Sequence, residues 1–313
     1  MRFRIVGSPA LLVLLVLAAV ASGAGAAQSR APAFVTADEP REPLVPGATP
    51  VTRHDVYDLK VRLKELGLYA GPIDETYEAE AVAAVRQVQR RYWLEDTGIV
   101  DGPTWLALGH GVPRPARTAA GPCPDGAVAI EVDSEKLTLT LLVDGKPWRV
   151  YPVAAGRWET VTPVGEWRIS EKGYDMGGPF GSRWMGLDVP WGGYGIHGTN
   201  MPWTIGGHYS VGCIRMFNED VVEIFDLVPT GTLVTVVGFR PQLDFGRPIG
   251  PGSTSPEVVA LQEALRAKGF DAGRCDGRFG AVTEARVREI RSLYGLPQGE
   301  PRLSDILRIL GTR

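Results

Sequence analysis

Residues 137–153, Leu-Thr-Leu-Thr-Leu-Leu-Val-Asp-Gly-Lys-Pro-Trp-Arg-Val-Tyr-Pro-Val, decide the fold of the middle of this 313-residue chain. Apolar and polar residues alternate strictly over 137–141, which is the period of a half-buried strand. Asp144-Gly145 is a hairpin signal, because the two central positions of such a tight turn need positive φ. Residues 148–153 then return as the partner strand. The stretch therefore predicts an antiparallel β-hairpin.

Further strand signals lie on both sides of this hairpin, at 127–133, 165–169 and 233–237. One helix is expected at 218–227, with Asn218 as its N-terminal cap and acidic residues in its first turn. Glycine-rich loops connect these elements. Residues 127–238 are therefore predicted to form a mostly β domain with long loops.

Helical periodicity returns on both sides of this domain, and two segments agree at a constant shift of 202 positions. The agreement runs without gaps from position 59 to position 94, and its pairs include Leu59 and Leu261, Leu63 and Leu265, and Gly67 and Gly269. Such a repeat indicates one structural module used twice. We predict small three-helix modules at 52–111 and 256–312.

The N-terminal 26 residues have the layout of a secretory signal. Arg2 and Arg4 precede an uncharged apolar run at 10–21, and small residues follow. The run is shorter than the roughly 20 apolar residues that span a bilayer. We expect an exported protein of the cell wall or periplasm, with an uncleaved N-terminal anchor as the alternative. Three segments rich in proline or glycine are predicted linkers: 27–51, 112–126 and 239–255.

Charge and cysteine count narrow the function classes. The net charge of −3, without a basic cluster, argues against a nucleic-acid partner. In an oxidising compartment an even number of cysteines would pair, and this chain has three. We expect a Cys123–Cys275 disulfide that leaves Cys213 as a thiol, although the sequence does not determine the connectivity.

Two loop segments carry the candidate chemistry: Ile196-His197-Gly198-Thr199-Asn200 and Ser210-Val211-Gly212-Cys213-Ile214-Arg215-Met216. A thiol that attacks an amide needs a base, so Cys213 is the candidate nucleophile and His197 the candidate general base. The Gly198 carbonyl could orient the imidazole, and the Gly212 N–H could donate to an oxyanion. Arg215 could bind a substrate carboxylate through two hydrogen bonds.

Four further residues are assigned to the substrate-binding surface: Trp184, Thr199, Asn200 and Ser210. Loop formation is the alternative role for Asn200 and Ser210. Core packing is the alternative for Trp184, because aromatic residues in β domains are mostly buried. For Arg215 the alternative is bracing of the cysteine loop.

The middle domain resembles the catalytic domain of L,D-transpeptidases of the YkuD type, which has a β-sandwich-like fold. The resemblance is carried by Thr162-Pro163-Val164-Gly165, Trp184-Met185-Gly186-Leu187, His-Gly-Thr at 197–199 and Ser-x-Gly-Cys-Ile-Arg-Met at 210–216. It implies that Cys213 attacks a peptidoglycan tetrapeptide stem after its third residue, and that an amine acceptor or water resolves the acyl-enzyme. It also implies covalent inhibition by carbapenem-type β-lactams and no cofactor or metal. Val211 stands where many members have a second histidine, so base function depends on His197 alone.

The repeats resemble the peptidoglycan-binding module of cell-wall hydrolases. The matching residues are Leu-Gln-Glu-Ala-Leu at 261–265, Asp-Gly-Arg-Phe-Gly at 276–280 and Asp-Gly-Pro-Thr-Trp at 101–105. In the first copy, Glu75 lies in a turn where the family has glycine, so that turn must be rebuilt or strained. A structural spacer is the alternative for each copy. Deleting either copy should weaken sedimentation with purified sacculi and leave hydrolysis of small soluble stems largely intact.

The sequence therefore predicts a multidomain enzyme, with a mostly β catalytic domain between two small all-α three-helix domains. An L,D-carboxypeptidase that uses the same Cys–His site is an alternative. A zinc-dependent wall peptidase with His197, His208 and Cys213 as ligands is another. The third alternative is a wall-binding protein without activity.

Overall fold

A computed structural model describes residues 42–114, 121–244, 246, 248–296 and 303–311 of the chain. The predicted signal at 1–26 lies outside these residues. Among the helices that are described, none has the length and apolar composition needed to cross a bilayer.

The first helical module is built as its repeat pattern predicts. Its described elements are β1 (Val51–Thr52), α1 (His54–Glu65), β2 (Thr76–Tyr77), α2 (Ala79–Arg91) and α3 (Gly102–Gly109). Leu59, Leu63 and Val85 point into its core and are fully buried. Helix α3 is capped by Asp101, whose carboxylate accepts a hydrogen bond from Thr104 N at 2.9 Å.

Part of the predicted 27–51 linker belongs to this module instead. Leu44 is fully buried, and its backbone exchanges two hydrogen bonds with Val100, at 3.1 and 2.9 Å. One apolar side chain without periodic neighbours does not predict such packing, because only the folded module supplies the pocket that it fills.

The middle domain is mostly β, as predicted. Its described elements are β3 (Val128–Asp133), β4 (Thr138–Val143), β5 (Lys146–Pro152), β6 (Ala155–Gly156), β7 (Gly165–Tyr174), β8 (Arg183–Leu187), β9 (Tyr194–His197), β10 (His208–Ser210), β11 (Ile214–Arg215), α4 (Asn218–Leu227) and β12 (Leu233–Val237). Within the described ranges, eight strands form one mixed sheet in the order β11-β9-β8-β7-β12-β3-β4-β5. Strands β6 and β10 pair separately and in parallel.

The predicted β-hairpin is present. Strands β4 and β5 pair antiparallel around Asp144 and Gly145, whose φ values are 49° and 73°. Leu139 and Leu141 are fully buried, while the intervening Thr140 is half-buried. The alternation therefore turns one face of this strand into the domain core.

Helix α4 has the predicted bounds, but the predicted role of Asn218 as its cap is wrong. Phe217 occupies the cap position, and Asn218 is the first helical residue. The Asn218 amide instead accepts a hydrogen bond from Ser182 N at 3.0 Å and donates one to Thr199 O at 2.9 Å. These contacts tie the helix start to two loops, which explains why the side chain does not cap its own helix.

The second helical module contains α5 (Pro256–Ala267), α6 (Ala281–Leu293) and α7 (Leu303–Ile309). Its turn uses glycines in the left-handed region, including Gly277 at φ 66°. The equivalent residue of the first copy is Glu75, which has no positive φ. There the turn is rebuilt around β2, and Arg53 N donates to Glu75 O at 2.8 Å. The predicted fold class, a mostly β domain with a helical module on each side in sequence, is confirmed.

Candidate active site

Parallel pairing of two strands brings the two predicted loops together. Strand β9 ends at His197, and β11 lies beside it with Ile214 opposite Ile196 and Arg215 opposite His197. The backbone continues this register, because Met216 N donates to His197 O at 2.8 Å. Cys213 comes directly before β11, so the sheet edge positions both candidate catalytic residues.

The imidazole of His197 is fully buried between aromatic rings. The Trp184 indole stacks on it, with 5.6 Å between ring centroids and 27° between planes. Phe180 meets it edge-on at 5.2 Å. Trp184 is 3% exposed. The indole therefore forms a wall beside the imidazole, which agrees with the core-packing alternative for this residue.

A backbone carbonyl orients the His197 ring. Nδ1 lies 2.5 Å from Gly198 O. Because a carbonyl oxygen only accepts hydrogen bonds, Nδ1 carries the hydrogen, and Nε2 is the basic nitrogen of the neutral ring. The contact predicted for Gly198 is thus present, while its part in catalysis stays a prediction.

Burial keeps this imidazole neutral. Desolvation, reinforced by the positive charge of Arg215, lowers the pKa of His197 from 6.5 to about 3, and the Gly198 carbonyl offsets only part of this. At neutral pH the ring is therefore unprotonated, and its imidazolium form is disfavoured.

The Cys213 side chain shares the aromatic surroundings of His197. It is 1% exposed and packs in one cluster with Phe180 and Trp184, against which Met176 also lies. The two rings that contact the imidazole thus belong to one cluster with the residue that carries the thiol. The arrangement is a dry pocket in which a thiol and a neutral base are held apart from bulk water.

The loop before Cys213 is closed by Ser210. Its hydroxyl donates to Cys213 O at 2.6 Å and accepts from Gly212 N at 3.1 Å. Ser210 is fully buried, so the structure supports the loop-forming alternative over substrate binding. Gly212 N–H is directed to this hydroxyl, and its role as an oxyanion donor stays a prediction.

Gly212 also has a steric role. Its φ is 121°, and a Cβ at this position would lie 2.6 Å from Tyr194 Cε1. Only glycine allows this backbone to pass so close to the aromatic ring.

Arg215 is directed away from the predicted substrate role. Its Nη1 lies 2.9 Å from Asp58 Oδ2, and the side chains are 2% and 1% exposed. Asp58 belongs to α1 of the first helical module. A guanidinium committed to this pair inside the protein braces the cysteine loop, in line with the alternative considered for it.

The two residues after the His-Gly pair shape the loop. Thr199 is buried and its hydroxyl accepts from Met201 N at 3.0 Å. Asn200 is half-buried and borders a cavity of about 80 Å³, together with Met201 and residues of the first module such as Trp105. The hydrogen bond of Thr199 supports a loop-forming role for that residue, and the substrate contacts of both residues stay predictions.

Two cavities flank the cysteine loop. One, of about 420 Å³, is bordered by Val211, Arg157 and residues of the first module. The other, of about 200 Å³, is bordered by Tyr194, the residue that contacts Gly212. Glu159 and Thr160 border both, so the two cavities share one turn as a border.

The ligand set of the zinc alternative is not assembled. Within the described ranges, no group of three or more histidine, cysteine or acidic side chains is placed to hold a metal ion. His208 Nδ1 instead lies 3.3 Å from Gly156 O, and its ring packs on Phe239.

The expected Cys123–Cys275 disulfide is not formed. All three cysteines are among the described residues, and none is in a disulfide. Cys275 is 1% exposed and packs into the core of the β domain, where burial raises its pKa to about 12. Cys123 lies nearer the surface. The two cysteines therefore lie in different environments, one inside the β-domain core and one nearer the surface. The cysteine count alone does not reveal this difference.

Sequence reasoning missed the two residues that join the first module to the cysteine loop, Asp58 and Arg157. The repeat offered a signal for one of them. Asp58 corresponds to Ala260 in the second copy, and a charge that one copy has and the other lacks marks a contact outside the shared module.

Comparison with protein families agrees with this geometry. Residues 127–236 match the YkuD family of L,D-transpeptidase catalytic domains. Residues 52–108 and 254–299 match the putative peptidoglycan binding domain.

Individual relatives are similar over the catalytic domain. The putative L,D-transpeptidase YkuD of Bacillus subtilis is 44% identical over 109 residues, which are 35% of this chain and 64% of that protein. The putative L,D-transpeptidase YqjB of the same species is 37% identical over 113 residues, 31% of this chain and 64% of that protein. A solved catalytic domain from the Enterococcus faecium L,D-transpeptidase is 29% identical, with a TM-score of 0.32, and the match covers 37% of this chain and all of that one.

The chain thus spans 64% of the length of these two curated relatives. Its middle third has the strand register, the buried imidazole and the cysteine loop described above. The chain therefore contains an L,D-transpeptidase catalytic domain of the YkuD family, with a domain of the putative peptidoglycan-binding family on each side in sequence.

Proposed function

We propose that this chain is an exported L,D-transpeptidase that transfers peptidoglycan stem peptides through an acyl-enzyme on Cys213. His197 acts as the general base and then as the general acid. The observation that carries the proposal is the burial of a neutral imidazole and of the cysteine under the same two aromatic rings.

The low basicity of His197 favours a particular order of proton transfer. With a pKa of about 3, an imidazolium is unstable in this pocket, so a resting thiolate–imidazolium pair is disfavoured. The thiol proton moves to Nε2 as Sγ bonds to the scissile carbonyl carbon of the donor stem. The imidazolium then gives that proton to the leaving nitrogen, the C–N bond breaks, and the terminal D-amino acid departs from a thioester.

The second half-reaction reverses these roles. The amine of an acceptor stem attacks the thioester carbonyl, and His197 removes its proton. The C–S bond then breaks, and Sγ recovers the proton as a thiol. Buried aromatic surroundings assist this step, because they keep competing water away from the thioester.

Two cavities next to residues of the cysteine loop suit a reaction with two peptides. The cavity at Val211 and the cavity at Tyr194 share the turn at Glu159 and Thr160 as a border. A hydrolase needs space for one stem only, whereas a transpeptidase must bind a donor and an acceptor. This arrangement therefore supports transfer to an amine.

The helical modules and the N-terminal segment support a polymeric substrate outside the cytoplasm. Both modules match a putative peptidoglycan binding domain. The first 26 residues have the sequence of a secretory signal. Retention on the wall would raise the local concentration of stems at the catalytic site.

A defined donor and acceptor test the proposal. The protein is incubated with a disaccharide-tetrapeptide, and products are read by mass spectrometry. We expect cross-linked dimer together with free terminal D-amino acid, and complete loss of both in Cys213→Ala. Cys123→Ala is the matched control, since this cysteine lies outside the site, and it should keep full turnover.

A carbapenem supplies an independent probe of the nucleophile. Its strained carbonyl should acylate Cys213 and add the intact mass of the inhibitor to the parent protein and to Cys123→Ala, but not to Cys213→Ala. Turnover that survives in Cys213→Ala, or an adduct on that variant, would refute cysteine catalysis. Tripeptide without dimer would instead identify water as the acceptor.

A further inference from the structure

A buried acidic residue of the first helical module is connected to the candidate cysteine loop. Asp58 lies on α1, and its carboxylate is 1% exposed. Oδ2 lies 2.9 Å from Arg215 Nη1, and Oδ1 lies 3.4 Å from Arg157 Nη2. One carboxylate therefore receives two guanidinium groups from the catalytic domain.

Arg215 follows the nucleophile by two residues. Its backbone N donates to Ala154 O at 3.0 Å, and Ala154 N donates to Arg215 O at 2.9 Å. In the sheet it lies opposite His197. A shift of Arg215 would therefore move the backbone that carries Cys213 relative to the imidazole.

Arg157 holds the other end of the same loop. Its Nε donates to Tyr209 O at 3.1 Å, and its backbone N donates to Ser210 O at 3.0 Å. Ser210 in turn closes the loop onto Cys213 O. The segment with the nucleophile is thus held by Arg157 before Cys213 and by Arg215 after it, and both guanidinium groups pair with Asp58.

A third contact fixes Asp58 itself. Trp203, from the catalytic domain, donates its indole N–H to Asp58 O at 3.1 Å. The same indole stacks on Trp105 of the first module, with 5.9 Å between ring centroids. Since the backbone and the side chain of Asp58 are both engaged, its carboxylate is a rigid anchor.

We infer that Asp58 is a positioning residue for the nucleophile loop, so that the first helical module is a structural part of the catalytic site. This rests on the proposed cysteine chemistry. The second module offers no equivalent, because its corresponding residue is Ala260. The earlier expectation that either module can be deleted without loss of soluble-stem turnover therefore does not hold for the first.

The test substitutes Asp58→Asn, which keeps the shape and removes the charge. The substrate is a small soluble stem, so wall binding does not enter. We expect kcat to fall by about 10²-fold, the size of effect that a misplacement of about 1 Å produces, while KM changes less than about 3-fold. Glu78→Gln is the matched control: Glu78 is another ion-paired acid of this module, bound to Lys60 within the module, and its kcat should equal that of the parent.

A double variant separates positioning from general damage. If Asp58 acts through Arg215, then Asp58→Asn and Arg215→Gln together should lower kcat no further than the more severe single variant. If the two losses multiply, or if Asp58→Asn keeps kcat within about 3-fold of the parent, the inference is overturned.

Arg157→Gln keeps the inference testable if Asp58→Asn does not fold. It removes one of the two contacts between the cysteine loop and Asp58 at a partly exposed site, and we expect about a 10-fold loss in kcat. Parent-like kcat in this variant would count against the inference. The rate of Cys213 alkylation by iodoacetamide should change in the same variants even if the parent lacks transpeptidase turnover, which separates failure of this inference from failure of the proposed function.

Discussion

The two helical modules share one sequence pattern, but they contact the catalytic domain through different kinds of residues. The first inserts charge and aromatic surface: Asp58 pairs with Arg215 inside the protein, and Trp203 enters the module core. The second inserts two buried apolar residues, Val259 and Cys275, into the β-domain core. It adds partly exposed ion pairs, of which Arg266 with Glu166, at 2.5 Å, is an example. Partly exposed pairs contribute little to stability, and buried ones are costly to break.

A few divergent positions account for this difference. Asp58 corresponds to Ala260, and Glu75 corresponds to Gly277. Glu75 pairs with Arg157 at 3.1 Å, whereas the turn at Gly277 lies against Trp191 of the catalytic domain. Duplicated modules can therefore keep the same internal core while surface positions decide what each one joins.

The largest expected effect is a difference in stability between alanine variants of two tryptophans, one at each contact between a helical module and the catalytic domain. Trp203 is 8% exposed and packs into the core of the first module, so Trp203→Ala should lower the free energy of unfolding by about 3–5 kcal/mol. Trp191 is only half-buried, and Trp191→Ala should lower it by about 1–2 kcal/mol. Urea unfolding of both variants measures the difference. Equal losses would mean that the two contacts stabilise the protein alike.

The second effect concerns the turn in which the modules differ. Gly277 has φ 66°, and a Cβ there would overlap the Trp191 ring. Gly277→Ala should therefore destabilise the protein by about 1–3 kcal/mol. Gly280 is the control, since its φ is −92° and nothing lies within 4 Å of the added Cβ. A thermal shift in Gly277→Ala no larger than that in Gly280→Ala would contradict this reading of the turn.

The smallest effect concerns how the free energy of unfolding depends on pH through His197, whose pKa is lowered in part by Arg215. Burial and Arg215 lower the pKa of His197 to about 3, so between about pH 6.5 and 3 the unfolded chain binds a proton there that the folded protein does not. Stability is therefore lost as pH falls through this window, by at most about 1.4 kcal/mol per pH unit.

His197→Gln should flatten this part of the dependence of stability on pH. His208→Gln is the control and should keep the contribution of His197. The measurement is urea unfolding at several pH values between 4 and 7. A parallel pH dependence in the parent and in His197→Gln would show that the imidazole titrates in the folded protein much as in the unfolded chain.

Local patterns predicted the elements well. Period-two alternation and a turn dipeptide specified the β4–β5 hairpin, and the bounds of α4 followed from helical periodicity. The hydrogen bond between His197 Nδ1 and Gly198 O is also local, because the two residues are adjacent in the chain. Such features depend on residues close in sequence, where geometry is nearly independent of the rest of the fold.

Two predicted site residues have hydrogen-bond partners that the sequence did not reveal, and the cause is the same for both. Arg215 was expected to bind substrate and Gly212 N–H to bind an oxyanion, but Asp58 and the Ser210 hydroxyl take those groups. A motif lists the hydrogen-bonding groups of a loop without showing which partners already use them. Asp58 is 157 residues away from Arg215 in the chain, so no spacing rule connects the two.

The sequence by itself determined the modules, the strand pattern and the identity of the thiol and imidazole. Periodicity and short motifs encode these directly. Only the tertiary structure decided that the first module supplies a buried carboxylate to the cysteine loop and that Cys275 lies in the β-domain core. Burial and ion pairing between distant segments depend on which surfaces meet in the fold. A charge is costly to bury unless an opposite charge from another segment pairs with it.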